Sequence, residues 1–258
     1  MHIFRAPKIT LLARQDYLGA AHVQWKSDTE VPAQTVTEFA GRLCYLSFGA
    51  DAGIEGGHKL IAGRTTNREY LANILKTRHG SVLEHAVWTF LFEGVSRALT
   101  HELVRHRHLS YSQLSQRYVD ESEVAFVLPP EIPPEGETFE LFRQSCARAL
   151  DDYRQLLQRI EAQVKDEPSA TLRRKRARQT ARSVLPNATE TKIVVTGNAR
   201  AWRHFIELRG SETAETEIRI LAVKVLDALK AEAPSLFGDY QIVERSGMQV
   251  VETEFRSV

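Results

Sequence analysis

Arg105-His106-Arg107-His108-Leu109-Ser110-Tyr111-Ser112-Gln113-Leu114-Ser115-Gln116-Arg117-Tyr118 crowds three arginines, two histidines, three serines and two glutamines into fourteen positions. Only the pair Leu109 and Leu114 offers apolar surface of aliphatic type. Burying such a stretch in a core would strand many donors and acceptors. It suits a surface that organises phosphate and base-edge hydrogen bonds, because guanidinium forks take phosphate oxygens while Ser and Gln satisfy carbonyl and amide groups. A solvated junction between a loop and a helix is the plainer alternative at this level.

Upstream, Ala86 to Glu93 alternates with period two, Trp88, Phe90 and Phe92 on one face and Val87, Thr89 and Leu91 on the other. This predicts a strand buried on both sides and stopped by Gly94. A helix from Val95 to about Arg105 follows, with Val95, Leu99 and Leu103 inward and Arg97, His101 and Arg105 on one outer stripe that calls for an anionic partner. Further upstream, Lys8 to Ala13 reads as a strand. Thr35 to Leu46 reads as a helix with Ala40, Leu43 and Cys44 on its apolar face, and Asn67 to Thr77 as another helix. Residues 48 to 66, rich in glycine and small polar groups, read as a loop.

Downstream, Val124 to Leu128 and a Pro-rich turn lead into the longest periodic segment. Phe139, Phe142, Cys146, Leu150, Tyr153, Leu157, Ile160 and Val164 predict one amphipathic helix that needs a wide partner, either a second helix or another subunit. Ser169 caps a basic helix ended by Pro186. Thr191 to Thr196 reads as a strand, Ala199 to Leu208 and Glu215 to Leu229 as helices, and Tyr240 to Phe255 as a hairpin around Ser246-Gly247. With no internal repeat and no convincing linker, the expectation is a single α+β domain over residues 1–258, a mostly antiparallel sheet flanked by long helices, with the hairpin at about 239–256 peripheral.

The chain has 258 residues, 43% hydrophobic and 26% charged, the balance of a folded globular protein. Its net charge of +1 argues against general polyanion binding, although 25 of the 34 basic residues are arginine. Two cysteines cannot build a disulfide framework or a four-cysteine zinc site. Met1 to Leu11 has no apolar h-region and no run reaches the length of a membrane span, so the expectation is a cytoplasmic protein with no membrane partner. Neither a dinucleotide Gly-x-Gly-x-x-Gly nor a Walker A loop occurs. His101-Glu102-Leu103-Val104 opens like a zinc-protease helix, but Arg105 stands where the second histidine belongs, and no metal is expected. Cys44 and Cys146, both on predicted apolar faces, read as inert packing residues. His106 and His108, flanking Arg107 among cations, are both expected to have depressed pKa values.

The order Arg-His-Arg-x2-Ser-x4-Ser-x-Arg, with Arg105, His106, Arg107, Ser110, Ser115 and Arg117 at its fixed positions, resembles the signature of the flavin-dependent thymidylate synthases (the thymidylate synthase complementing protein family). His79-Gly80-Ser81-Val82-Leu83-Glu84-His85, Arg182 to Pro186, Asn198-Ala199-Arg200 and His204 to Arg209 resemble the family's flanking elements in the right order. The resemblance runs from about Ile9 to Phe237.

It implies conversion of dUMP to dTMP with methylenetetrahydrofolate as carbon donor and NADPH as reductant through bound FAD, in a homotetramer with shared active sites. It implies flavin contacts at His79, Ser81, Arg105, His106, Arg107, Gln113, Asn198, Ala199, Arg200 and His204. It implies dUMP contacts at Glu102, Leu103, Val104, Arg105, Gln113, Leu114, Ser115, Gln116, Arg117, Arg182 and Arg209. Other members carry Glu where this chain has Gln113 and Gln where it has Glu102. Charge building on N3 and the carbonyl oxygens of uracil, with no thiolate attack, calls for a fixed cation, and Arg209 is the candidate catalytic residue. Arg117 and Arg182 would neutralise the phosphate, Ser115 and Gln116 would add hydrogen bonds, and a helix restarting near Ser112 or Gln113 would aim free amides at it. The rival from another class is a nucleic-acid binding module using the Arg-rich helix at residues 173–182.

Overall fold

The computed structural model describes residues 1–49, 52–54 and 64–256, so most of the Gly-rich stretch at 48–66 lies outside the described residues. Four strands, β2 (Lys8–Arg14), β3 (Val87–Ser96), β4 (Ser110–Gln113) and β6 (Glu190–Asn198), form a sheet in the order β2-β3-β6-β4. The chain gathers into two compact units, each interleaved from several segments, and no single cut separates them. The strands β3 and β6 run on from one unit into the other, at Phe90 to Leu91 and Val194 to Val195.

Trp88, Phe90 and Phe92 are fully buried on one face of β3, while Val87, Thr89 and Leu91 on the other are half-buried, so the strand is buried more on one side than the period-two reading expects. Nor does Gly94 stop it. At φ +63 this residue takes the left-handed conformation open to glycine, with Phe4 and Ala6 packed close to where a Cβ would stand, and the strand continues to Ser96.

The first unit comprises residues 1–8, 91–105 and 111–194. Ser96 caps α3 (Arg97–Leu103) by accepting the Leu99 amide at 2.9 Å. The strand β1 (Ile3–Phe4) pairs in parallel with β5 (Phe126–Val127). After Gly136, α4 (Glu137–Gln163) packs along α5 (Ala170–Ala181), the second helix that its apolar face requires. Only Cys146, Leu150 and Tyr153 of that face are fully buried, the first two with Phe126, Val124 and Phe142 around them. Ser169 caps α5, whose continuation, Arg182–Val184, is a 3-10 turn.

The second unit comprises residues 9–90, 106–110 and 195–258. It holds α1 (Pro32–Cys44), α2 (Asn67–Lys76), a 3-10 turn (Gly80–His85), α6 (Ala199–Arg209), α7 (Thr216–Glu232), α8 (Pro234–Phe237) and the hairpin of β7 (Gln241–Arg245) and β8 (Met248–Glu252). Thr66 and Glu69 form a reciprocal capping box on α2. Edge-to-face contacts of Phe90 on Trp202 and of Trp88 on Phe237, with centroids 5.4 and 5.6 Å apart, join strand to helix in the core.

Two expectations fail here. The face that α1 buries is polar, including Gln34, Thr37, Glu38 and Arg42, while Leu43 is 49% exposed and Cys44 is exposed as well. Glu38 and Arg42 pair at 2.7 Å, Asn67 donates to Glu38, Ser47 gives Arg42 a carbonyl, and the Tyr70 ring lies 4.6 Å from the Arg42 guanidinium carbon. Periodicity assumes that apolar groups go inward; here a mutually satisfied network has taken the inner face. The hairpin is not peripheral either. Val250 and Val251 are buried, Val251 donates to the Gly210 carbonyl at 2.8 Å, and a Cβ on Gly210 would collide with the Val251 side chain.

Gly197 seats part of the signature segment. A Cβ there would stand 2.2 Å from Cδ2 of buried Leu109 and 3.2 Å from the Trp202 indole nitrogen. We expect Gly197→Ala to destabilise the protein by about 1–3 kcal/mol through overpacking. Urea denaturation at constant m-value checks this, and an unchanged midpoint contradicts it.

Candidate active site

The signature stretch is divided between the units, with Arg105 and Tyr111 to Tyr118 in the first and His106 to Ser110 in the second. Its chain path is a strand and a turn. Ser110–Gln113 is β4, and Tyr118 and Val119 both donate to the Ser115 carbonyl, at 3.1 and 3.0 Å. No helix restarts at Ser112 or Gln113, so the expected dipole contribution to phosphate binding falls away. Leu114 donates to Lys192 at 2.9 Å, an extended pairing that competes with helix formation and wins.

In the first unit, Gln113 directs Nε2 at the hydroxyls of Thr100 and Thr191, both at 3.3 Å. Ser115 Oγ accepts the Arg117 amide at 3.4 Å. Gln116 is 5% exposed, and its Nε2 and the Nε of Arg117 are buried donors with no partner. Buried unpaired donors are costly, and an anionic oxygen supplied from outside the chain would satisfy them. Arg105 is exposed and turns its Nε back to the His101 carbonyl at 3.3 Å. Glu102 is half-buried and Val104 exposed. Leu103 is a core residue whose carbonyl accepts the Tyr111 hydroxyl at 2.7 Å, so its side chain is not at a ligand surface.

Arg182 follows α5 directly and lies near enough to half-buried Arg97 that their charges repel. Glu121, a residue that sequence reasoning missed, lies near enough to Arg97 for the two to attract, while no ion pair with Arg97, His101 or Arg105 is present among the described residues. It is 3% exposed, its amide donates to the Tyr153 hydroxyl at 3.2 Å, and its Oε1 has no partner. Burial pushes its carboxyl up to about 7, against the pull of Arg97 and with help from Glu190 and Asp120. Nothing in the amino-acid sequence marks Glu121 within the acidic run Asp120-Glu121-Ser122-Glu123.

In the second unit, α6 carries several of the expected site residues. Asn198 caps it, with Oδ1 accepting the Ala201 amide at 2.9 Å. Arg200 is exposed and pairs with Glu84 at 2.6 Å. Ala199 is buried and its amide is taken by the Ala86 carbonyl at 2.8 Å, which leaves neither its side chain nor its N–H for a ligand. Half-buried His79 meets the Tyr45 ring edge-on at 5.7 Å, and both line a cavity of about 220 Å³ with Tyr70, Asn73 and Thr77. Ser81, Arg107 and His204 are exposed.

Arg209, at the last position of α6, donates from Nε to Nε2 of His106 at 2.9 Å. His106 is 5% exposed, edge-on to Phe205 at 5.3 Å and to His204 at 5.7 Å. Burial first, then the charges of Arg209 and His204, push its pKa down to about 4. The depression expected from the sequence is thus present at His106, with burial and not the cations flanking it in the chain as the largest cause. Cys146 is in the core, where burial pushes its thiol up to about 11, while Cys44 is exposed on α1.

The basic helix is engaged internally at several of its positions. Arg176 pairs with Glu167 at 3.0 Å, Arg173 donates to the Glu167 carbonyl, Arg178 reaches the Tyr118 carbonyl and Asp120, and Lys175 lies over the Tyr118 ring. Among the described residues, no helix is long and apolar enough to cross a membrane.

Residues 28–235 match the family model described as thymidylate synthase complementing protein. The chain belongs to that family. It is 48% identical over 236 residues to a flavin-dependent thymidylate synthase of Mycolicibacterium vanbaalenii, covering 92% of this chain and 90% of that protein. It is 46% identical over 235 residues to one of Mycobacterium tuberculosis, covering 91% of this chain and 90% of the relative. Among solved structures, the fold is shared with a UMP/dUMP methylase, PolB, from Streptomyces cacaoi bound with 5-Br dUMP. The TM-score is 0.65 at 21% identity, over 92% of this chain and 96% of that one.

Glu121 yields a pH test. Its pKa is about 7 in the folded chain against an ordinary 4.5, so the folded state binds the proton more tightly. The associated stability is present below 4.5 and is lost as pH rises toward and through 7. Glu121→Gln lacks this titration, so its stability relative to wild type should rise by about 2 kcal/mol between pH 5 and 8. Urea denaturation at both pH values checks it; equal differences at the two would contradict the assignment.

Proposed function

We propose that this chain is a flavin-dependent thymidylate synthase, converting dUMP to dTMP with methylenetetrahydrofolate as one-carbon donor and NADPH as reductant through bound FAD. We assign it to the cytoplasm as a homotetramer with shared active sites. The observation that carries the reading is the family match over residues 28–235, which includes every fixed position of the signature from Arg105 to Arg117.

The donor set of the second unit fits a flavin dinucleotide. His79, Ser81, Arg107, Arg200 and His204 are cationic or hydrogen-bonding groups at half-buried or exposed positions, and Asn198 stands at the start of α6. When bound, the flavin supplies the hydride that reduces the transferred one-carbon unit to a methyl group. The remaining work belongs to side chains. Arg117 and Arg182 neutralise the dUMP phosphate, and the partnerless donors of Gln116 and Arg117 take its oxygens. Gln113, with its amide nitrogen held by two threonines, keeps its carbonyl oriented for a ligand N–H.

Arg209 polarises the uracil carbonyl edge. A guanidinium is a permanent cation and a poor proton acceptor, so it lowers the cost of negative charge on N3 and the carbonyl oxygens without acting as a base. Thiolate attack by Cys146 is disfavoured, since that residue is buried with its pKa raised.

Purified protein should be yellow and should release tritium from [5-³H]dUMP only with folate and NADPH present. A colourless protein with steeply salt-dependent DNA or RNA binding would favour the nucleic-acid module instead. Arg209→Ala should lower dTMP formation by at least about 10³-fold while retaining flavin absorbance. The double variant Cys44→Ala, Cys146→Ala should retain turnover; complete loss in a folded, flavin-loaded protein would restore a thiolate mechanism.

A further inference from the structure

Within the first unit a carboxyl group is walled in beside the arginines. The Arg97 amide donates to the Thr189 carbonyl at 3.0 Å, the Glu190 amide to the Ala125 carbonyl at 2.9 Å, and the Val124 amide to the Glu121 carbonyl at 3.1 Å. These bonds tie the start of α3, the start of β6 and the turn at 121–125 together, with Glu121 enclosed at 3% exposure. Its surroundings are mixed in charge. Arg97 of α3 attracts the carboxylate, whereas Glu190 of β6 and the adjacent Asp120 repel it. Glu190 accepts the Gly94 amide at 2.9 Å, Tyr153 of α4 takes the Glu121 amide on its hydroxyl, and Arg178 of α5 is engaged by Asp120. Oε1 of Glu121 has no hydrogen-bond partner.

Arg97 and Arg182 lie near enough for their charges to repel, and a negative charge on Glu121 offsets the first of them. A phosphate dianion held by Arg182 offsets the same cations. Glu121 then becomes a like charge buried beside that dianion, with no hydrogen bond at Oε1 to favour its ionised form. Protonation removes the repulsion. Burial has already brought the Glu121 carboxyl to about 7, so little further change is needed for it to take a proton at neutral pH.

We propose that Glu121 is a proton-linked positioning residue of the phosphate subsite: ionised, it is the counter-ion of Arg97 before nucleotide binds, and it takes one proton from water when the nucleotide 5′-phosphate arrives. Neutral Glu121 no longer competes for Arg97, whose charge then adds to the field at the phosphate. The inference rests on the assignment of Arg182 to the dUMP phosphate.

The test is calorimetric titration of flavin-loaded enzyme with dUMP in buffers of different ionisation heat. At about pH 8 the nucleotide phosphate is already a dianion, since its second pKa is about 6. If the bound dianion raises the Glu121 pKa by about one, wild type takes up about 0.4 proton per nucleotide at that pH, and its Kd weakens about fourfold between about pH 7 and 8.5. Glu121→Gln, neutral at every pH, should lose this uptake and bind dUMP several-fold more tightly than wild type at about pH 8.5. Glu121→Leu should lose the uptake as well, and either folded variant suffices for the comparison. The difference from wild type removes every other titrating group, His101 of α3 included. Equal uptake in wild type and variant overturns the proposal, as does a glutamine variant that binds dUMP no more tightly than wild type at the higher pH. If wild type binds no dUMP, the thymidylate synthase reading fails and takes this inference with it. Tight dUMP binding with the same proton uptake in wild type and variant removes the role of Glu121 alone.

Discussion

The helix that carries Arg200, His204 and Arg209 is held by a buried ion pair. Arg203, fully buried on the inner side of α6, forks onto both carboxylate oxygens of Asp239 at 2.7 and 2.8 Å, and also donates to the carbonyls of Leu236 at 2.7 Å and Phe255 at 3.1 Å. Thr253 adds a hydrogen bond to the same carboxylate at 2.6 Å, and the Tyr240 ring lies 4.5 Å from the guanidinium carbon. Removing one partner of a pair this deep strands the other charge in a low-dielectric core, at a cost of about 3–5 kcal/mol. The pair therefore specifies where α6 sits against the C-terminal segment. It also ties the ends of the hairpin, at Asp239, Thr253 and Phe255, to α6.

Alternation along α6 does the rest. Trp202, Arg203, Phe205 and Ile206 face inward, and Arg200, His204 and Leu208 face out. With the inner face pinned by Arg203 and by the Phe90 to Trp202 contact, the outer face has little freedom to rotate. Arg209, half-buried and one turn beyond Phe205, meets His106 beside that ring. The first unit solves a related problem differently: there, Arg97, Arg182, Arg117 and Gln116 accumulate positive charge and partnerless donors, and Glu121 is the buried counter-charge beside Arg97.

Long periodic segments were legible before any coordinates. The helices at Asn67–Lys76, Glu137–Gln163, Ala199–Arg209 and Thr216–Glu232 and the hairpin at Gln241–Glu252 all follow from spacing, caps and turn residues. Ser246 and Gly247 both have positive φ, as the Ser-Gly turn requires. The failures have one physical origin. At α1, at Gly94 and at Ser112 to Leu114, a partner distant in sequence outweighed the local preference: Asn67 and Tyr70 for the polar face of α1, Phe4 and Ala6 beside Gly94, and Lys192 for the segment that was expected to turn helical.

The candidate site divides in the same way. The order of residues in the signature from Arg105 to Arg117 and in its flanking segments resembles the family closely enough to identify it from the amino-acid sequence, and the family match bears this out. The partner of each donor was decided only by tertiary structure. His106 and Arg209 stand 103 residues apart, and Glu121 looks like one more solvated acid until the fold buries it beside Arg97. A hydrogen bond or a desolvated charge depends on distances of a few ångströms between segments remote in the chain, and spacing along the chain carries no information about those distances.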